Sequence, residues 1–381
     1  MSLSGSVDPD GDTVHAVEEV LGRYLRQRLD EAATLGEVFA AELAADVVSF
    51  AMTGGKRLRA CLTWWAWRTA GGRSDDPRSA AVLRIAAAWE LLQVCALVHD
   101  DIMDDAPVRR GRSAVHVGHA ERHRRERRAG DADGHGRSMA ILAGDLALVW
   151  ADDLFAESRL GEPDRSRAAQ VWRAVRTEMV AGQHLDLYAQ AAGDHSPATA
   201  LRVAHGKSAL YSVDRPMQLG AVVATADTRR IETLRAVGRQ AGVAFQLHDD
   251  LLDAFGDPEH TGKPGGNDLR AGKSTYLLGV ALERADRRGD GAASRLLRES
   301  LGVTLSPRRF RQVREVLVDL GARAAVEQRI DELVGSAFER LADADVDADA
   351  ADRLRSLLRR AAGREPYDDP DLVCPGSGAA R

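Results

Sequence analysis

Apolar residues recur along this chain at spacings of three and four, the period of an amphipathic helix. Val17, Val20, Leu21, Tyr24, Leu25 and Leu29 set a first helix from Val14 to about Leu29. A second is predicted from Leu35 to Phe50, broken by Thr53-Gly54-Gly55. Lys56-Arg57-Leu58-Arg59 then leads into an apolar helix through Trp64, Trp65 and Trp67, closed by Gly71-Gly72. Ser79 to Asp105 reads as one long helix. Its apolar residues run nearly all round from Val82 to Met103, which implies a central position. Pro107 stops it.

The stretch 120–137 breaks the pattern. It carries six Arg and three Gly without apolar periodicity, and is expected to be a charged insertion, an exposed loop or frayed helix. Helical spacing returns over Met139–Leu160, Arg165–Ala191, Thr199–Ala226 and Thr228–Phe255. A Gly/Pro-rich loop follows at 257–268, and helices resume near Ser274, Ala292, Pro307, Ala322 and Asp345. No segment alternates convincingly with period two, no repeat is evident and no linker is long enough to split domains. The expectation is all-α: one large helical bundle over 13–364 with a central cavity. The polar ends, 1–12 and 365–381, are expected to be disordered.

Composition narrows the class. The chain has 381 residues, 44% hydrophobic and 29% charged, as soluble globular proteins do. Aromatics are few at 5%, which favours helix over strand. A net charge of -6 argues against a general nucleic-acid binder. Three scattered cysteines, Cys61, Cys95 and Cys374, make neither a disulfide framework nor a zinc signature, and fit a reducing cytoplasm. The N-terminus lacks the apolar core of a signal peptide, and no run of about 18 apolar residues predicts a spanning helix.

Two acidic clusters carry the chemistry. Asp100, Asp101, Asp104 and Asp105 end one apolar helix, and Asp249, Asp250 and Asp253 end another. In each set carboxylates three and four apart share a helix face. Like charges packed so closely are unfavourable unless a cation sits among them. Magnesium suits carboxylate oxygens and commonly shares its shell with substrate phosphate. The clusters are therefore expected to face one cavity, where Asp100, Asp104, Asp249, Asp250 and Asp253 ligate metal and Asp101 assists. One such cluster alone would read as a solvated helix end. Two at the mouths of apolar helices are harder to explain that way.

Basic residues complete the pattern. Lys56, Arg57 and Arg59 follow a Gly-Gly break where backbone can approach an anion. Arg109 and Arg110 follow the first cluster, and Lys207, Lys263 and Lys273 lie near the second. Arginine holds phosphate bidentately and lysine acts as a point charge. Singly, each is an ordinary surface charge. Together they suggest two diphosphate subsites, one metal-bound and one held by cations alone.

At this point the sequence resembles a known family. Gly54-Gly55-Lys56-Arg57-Leu58-Arg59, Asp100-Asp101-Ile102-Met103-Asp104 and Arg109-Arg110-Gly111 look like the first half of a trans-isoprenyl diphosphate synthase of the polyprenyl synthetase family. Gly144-Asp145, Lys207-Ser208, Phe245-Gln246 through Asp253 and Thr261-Gly262-Lys263-Pro264 match the second half in order and spacing. The resemblance runs from about residue 20 to 360, in the style of actinobacterial geranylgeranyl diphosphate synthases. It implies an all-α homodimer and magnesium-dependent head-to-tail condensation. Asp100, Asp104 and Asp249 would hold the allylic diphosphate through metal, with Arg109, Lys207 and Lys263 on its phosphates. Lys56, Arg59 and Arg110 would hold isopentenyl diphosphate, and Gln246 would sit near the second cluster. Gln93 stands where many members carry a histidine that contacts isopentenyl diphosphate, and Ala60 replaces a common proline.

The growing product should run down the helix that bears Asp100. At about 1.5 Å per residue, Ala96 and Cys95 lie roughly 6 to 7 Å below Asp100, Leu92 about 12 Å and Trp89 about 16 Å. The first two are small where short-product members carry aromatics. Trp89, with Leu92, is expected to form the floor, which favours a C20 product over C15 and leaves C25 or longer open. Trp89 could equally pack against a neighbouring helix. A type I terpene cyclase also uses an acidic metal motif, but it needs no second diphosphate site and carries an Asn/Ser/Glu motif not evident here. A regulatory subunit of a prenyl synthase should have lost acidic residues, and both clusters are intact.

Overall fold

A computed structural model describes residues 8–257 and 265–365. They are almost entirely helical and form two compact units, one of residues 8–64 and 72–165, the other of 65–71, 166–257 and 265–365.

In the first unit Asp12 caps the helix Thr13–Leu35 by accepting from His15 N at 2.9 Å. The chain continues through Glu37–Phe39, a π-helical turn Ala40–Ala44 and the helix Ala45–Met52. Ser79–Met103 is the core helix, buried on all sides from Ile85 to Leu92. It is long and apolar enough by composition to cross a membrane, which the sequence reading did not expect. Yet 72% of its most apolar stretch is buried inside the protein. Ala132–Ala156 packs along it. The two are pinned where the His99 ring meets Gly144. A Cβ at Gly144 would fall 2.1 Å from His99 Nε2, so no larger residue fits without displacement. Tyr24 donates to the Trp150 carbonyl at 3.0 Å and ties the first helix to the same pair.

The stretch 120–137 is not a loose insertion. Val115–Arg125 and the start of Ala132–Ala156 form a packed helical hairpin. Its buried face is built from His116, His119, Ala120 and His123, residue types that leave no apolar period to read. Asp131 caps the second helix by accepting from Asp133 N and Gly134 N. His119 meets Asp46 at 3.0 Å, and Arg128 pairs with Glu42, so several of the charges are spent on attachment.

In the second unit Thr228–Phe255 is central, flanked by Ala322–Ala342 and by a long π-helical segment, Ala204–Asp214. The predicted helix Thr199–Ala226 is thus three pieces: Pro197–Val203, that π segment and Arg215–Ala224. Asp214, fully buried, anchors the end of the π segment to Arg235 Nε and Nη2 at 3.3 and 3.4 Å. The hydrophobic core gathers Ala244, Leu247, Leu278, Leu297, Val313 and Ile330.

Candidate active site

The Ser79–Met103 helix ends where Asp104 N donates to the Asp100 carbonyl at 2.9 Å. Asp100 and Asp104 are half-buried at this end, Asp105 is exposed, and Asp101 is 0% exposed. Asp101 Oδ1 accepts from Arg109 Nε at 2.8 Å and from Nη2 at 2.5 Å, while Asp100 Oδ2 lies 3.4 Å from Nη2. Burial pushes the Asp101 carboxyl up, opposed by the Arg109 guanidinium. Its other oxygen, Oδ2, is buried with no hydrogen-bond partner.

Arg109 reaches back because of a turn the sequence reading did not anticipate. Val108–Arg109 and Arg112–Ser113 pair as a two-residue β-hairpin, with Arg110 and Gly111 both at positive φ (52° and 73°). That is the hairpin turn whose twist matches the strands, and glycine suits it. The turn sends its two arginines different ways. Arg110 Nη1 donates to the carbonyls of Phe50, Thr53 and Gly54 at 3.2, 2.7 and 3.2 Å, and its guanidinium covers the Phe50 ring at 5.2 Å. Burial, then the neighbouring Arg57, Arg109 and Arg59, disfavour its positive charge. Such a cluster of guanidiniums invites an anion. Lys56 is exposed beside it and Arg59 half-buried.

Arg57 departs from expectation. Its side chain is turned inward, with the residue 2% exposed, and it bridges Glu18 at 3.0 Å and buried Glu90 at 2.9 Å. The Glu90 pairing is buried, while the Glu18 side chain is 36% exposed. Behind the acidic cluster, Trp89 and Leu92 are 0% exposed, Cys95 is buried and Ala96 half-buried. Cys95 Sγ is 3.8 Å from His99 Nδ1, and burial pushes the thiol up to about 12. His99 Nε2 donates to the Ile141 carbonyl at 3.2 Å, so Nδ1 is the acceptor. Gln93 is half-buried, with Oε1 buried and unbonded.

In the second unit Asp249 is exposed and Asp250 buried on the Thr228–Phe255 helix. Asp253 accepts from Asn267 N and Nδ2 at 3.1 and 3.2 Å and from Asp268 N at 3.0 Å. Burial, then the Asp249 and Asp253 charges, push the Asp250 carboxyl up to about 7, opposed by a hydrogen bond from Gln246 Nε2 at 2.7 Å. Gln246 Oε1 in turn accepts from the Ser208 hydroxyl. Ser208, Gln246 and Asp250 therefore form a hydrogen-bonded chain, which places Ser208 behind the acidic cluster rather than alone on a surface. Lys207 Nζ donates to Asp186 at 2.6 Å, a partner the sequence did not advertise. Lys273 lines a small cavity of about 20 Å³ with Asp250, Asp253 and Asp268. Lys263 lies outside the described residues. Among the described residues no three His, Cys, Asp or Glu side chains converge as a ready metal cage. Asp100, Asp250 and Asp253 are turned toward Arg109, Gln246 and the Asn267 backbone respectively.

Helices ended by paired carboxylates, with guanidiniums gathered at a Gly-Gly break, define an all-α enzyme equipped to handle diphosphates. The chain matches the polyprenyl synthetase family over residues 41–304 and belongs to it. It is a trans-isoprenyl diphosphate synthase, a prenyltransferase. It is 32% identical over 309 residues to the geranylfarnesyl diphosphate synthase of Aeropyrum pernix, covering 80% of this chain and 89% of that one. It is 34% identical over 279 residues to the farnesyl diphosphate synthase of Geobacillus stearothermophilus, covering 70% and 82%. Among solved structures, it matches a geranylgeranyl pyrophosphate synthase of Corynebacterium glutamicum, crystallised with isoprenyl diphosphate and magnesium. There the TM-score is 0.88 and the identity 38%, covering 94% of this chain and 99% of that one.

Proposed function

We propose that this enzyme condenses isopentenyl diphosphate with an allylic diphosphate, with magnesium, to give all-trans C20 geranylgeranyl diphosphate. The observation that carries the length is the helix below Asp100. Cys95 and Ala96 are small there, while Trp89 and Leu92, both fully buried, supply bulk eleven and eight residues back. Relatives of different product length match almost equally well, so this helix and not overall similarity must decide.

The residues fit magnesium. Every candidate ligand is a hard carboxylate oxygen. Burial, and after it the Asp249 and Asp253 charges, raises Asp250, and a cation among these side chains would offset both. Asp100 and Asp104 would hold it in the first unit, and Asp249, Asp250 and Asp253 in the second. When bound, magnesium neutralises the diphosphate and stabilises it as a leaving group. Lys207, Lys263 and Lys273 add point charges where negative charge grows during departure. Arg109 orders Asp100 and Asp101 and is poised beside the allylic diphosphate. Lys56, Arg59 and Arg110, with Gln93, orient isopentenyl diphosphate so that its alkene meets the allylic carbon. Ser208 and Gln246 fix the Asp250 carboxylate. The buried apolar helix excludes water from the cationic carbon. A homodimer accords with the family, and a reducing cytoplasm with the buried thiols of Cys61 and Cys95.

The test is product sizing. Purified protein with magnesium and isopentenyl diphosphate is offered dimethylallyl, geranyl or farnesyl diphosphate. All three should converge on C20. A dominant C15 or C25 product would overturn the length, and a failure to condense any primer would overturn the reading altogether.

A further inference from the structure

The helix Asp164–Ala192 contributes no residue to the acidic or cationic clusters, yet one of its faces touches the second unit's machinery at successive turns. Gly182, Asp186 and Gln190 stand four apart and so share that face. Gly182 lets backbone come close. A Cβ there would lie 2.6 Å from the Gly206 carbonyl oxygen and 2.7 Å from Lys207 Cα. One turn on, Asp186 is 5% exposed and accepts from Lys207 Nζ at 2.6 Å. A further turn on, Gln190 Nε2 donates to the Ala271 carbonyl, two residues before Lys273. Lys207 sits in the π-helical segment Ala204–Asp214, whose far end is fixed by buried Asp214 on Arg235. The lysine is therefore seated by its backbone, its ammonium and the end of its own segment.

A buried carboxylate beside a lysine calls for a reason, since burying charge is costly. Lysine has three N–H donors on a flexible stem and no preferred direction of its own. One donor given to Asp186 fixes the stem, and the lysine side chain stays 24% exposed. We propose that Asp186 is a positioning residue for prenyl transfer, which with Gly182 aims Lys207 at the departing allylic diphosphate. This rests on the reading that Lys207 meets that diphosphate.

Steady-state kinetics of D186N, D186E, K207A and D186N/K207A test it, each followed against both substrates and magnesium. D186N should lower kcat/KM for the allylic diphosphate about 10- to 100-fold, the range for losing a hydrogen bond to a charged group. The loss should fall mainly on kcat, because charge on the diphosphate grows in the transition state. KM for isopentenyl diphosphate and the magnesium requirement should not move. D186N/K207A should be no worse than K207A, since Asp186 acts through the lysine. D186E, which keeps the charge, should recover part of the loss, and it carries the test if D186N folds poorly. D186N and D186E both equal to wild type beside an impaired K207A would overturn the assignment of Asp186 alone. So would losses that multiply in the double variant, or a raised magnesium requirement, which would make Asp186 a metal ligand. A K207A enzyme with wild-type kinetics would overturn the reading of Lys207, and this assignment with it.

Discussion

Gly144 is where one methyl group should disturb the acidic helix end most. In Gly144→Ala the new Cβ would lie 2.1 Å from His99 Nε2, 2.4 Å from Cδ2 and 2.8 Å from Cε1. The ring cannot stay. Overpacking of this kind costs about 1–3 kcal/mol. Displacing the ring also breaks the 3.2 Å bond to the Ile141 carbonyl, which adds ~1 kcal/mol. Alanine's better helix propensity returns about 0.5–1 kcal/mol. The net is a loss of about 1–3 kcal/mol. His99 precedes Asp100, so kcat should fall with it. The cycle with His99→Ala isolates the cause. Without the ring there is nothing to collide with, and Gly144→Ala should change sign, stabilising by about 0.5–1 kcal/mol. Urea denaturation of the four proteins measures this. An equal cost of Gly144→Ala with and without the imidazole would refute the close-packing argument.

Further outcomes follow from the same geometry. Glu90→Ala removes the buried partner of Arg57 and leaves it only the part-exposed Glu18, which should cost about 3 kcal/mol in chemical denaturation. Lys56→Ala, at an exposed residue, should leave stability unchanged and raise KM for isopentenyl diphosphate. The Asp194 carboxyl is held at about 2 by the Thr199 hydroxyl and the Ser196 N–H. Its contribution to stability is therefore present above the ordinary carboxylate range and is lost as pH falls toward about 2. Thr199→Val should move its NMR titration midpoint upward and shrink that acid-side loss. Trp89→Phe, milder in a packed core than alanine, should lengthen the product, and an unchanged C20 profile would remove Trp89 from the floor. Chelation should abolish turnover and magnesium restore it, whereas full activity in excess chelator would exclude the carboxylates as ligands.

The parts legible in the sequence were those with a period or a dense local signal. The helix Thr228–Phe255 matches its predicted limits because Asp227 caps it and its apolar stripe runs unbroken to the acidic end. The acidic clusters announce themselves because like charges at helical spacing are rare without a counterion. The hairpin at 120–137 was misread as loose because histidine, glycine and alanine fill its buried positions. A pattern of hydrophobicity cannot register a face built from those residues. The strands at 108–113 are two residues each, below any period-two signal.

Arg57 and Asp186 mark the deeper limit, and in opposite ways. Arg57 lies in a dense basic motif, which invites a substrate role. Whether its guanidinium meets phosphate or carboxylate depends on Glu18 and Glu90, 39 and 33 residues away. Asp186 lies in no cluster at all, an ordinary acid on an amphipathic helix. Its meaning comes from Lys207, 21 residues on, and from the missing Cβ at Gly182 that lets the two segments meet. A motif shows which side chains the chemistry requires. The partner that aims each one is chosen by backbone approach. In this chain that choice takes a lysine and an arginine of similar charge, seats one on Asp186 and turns the other inward to Glu90.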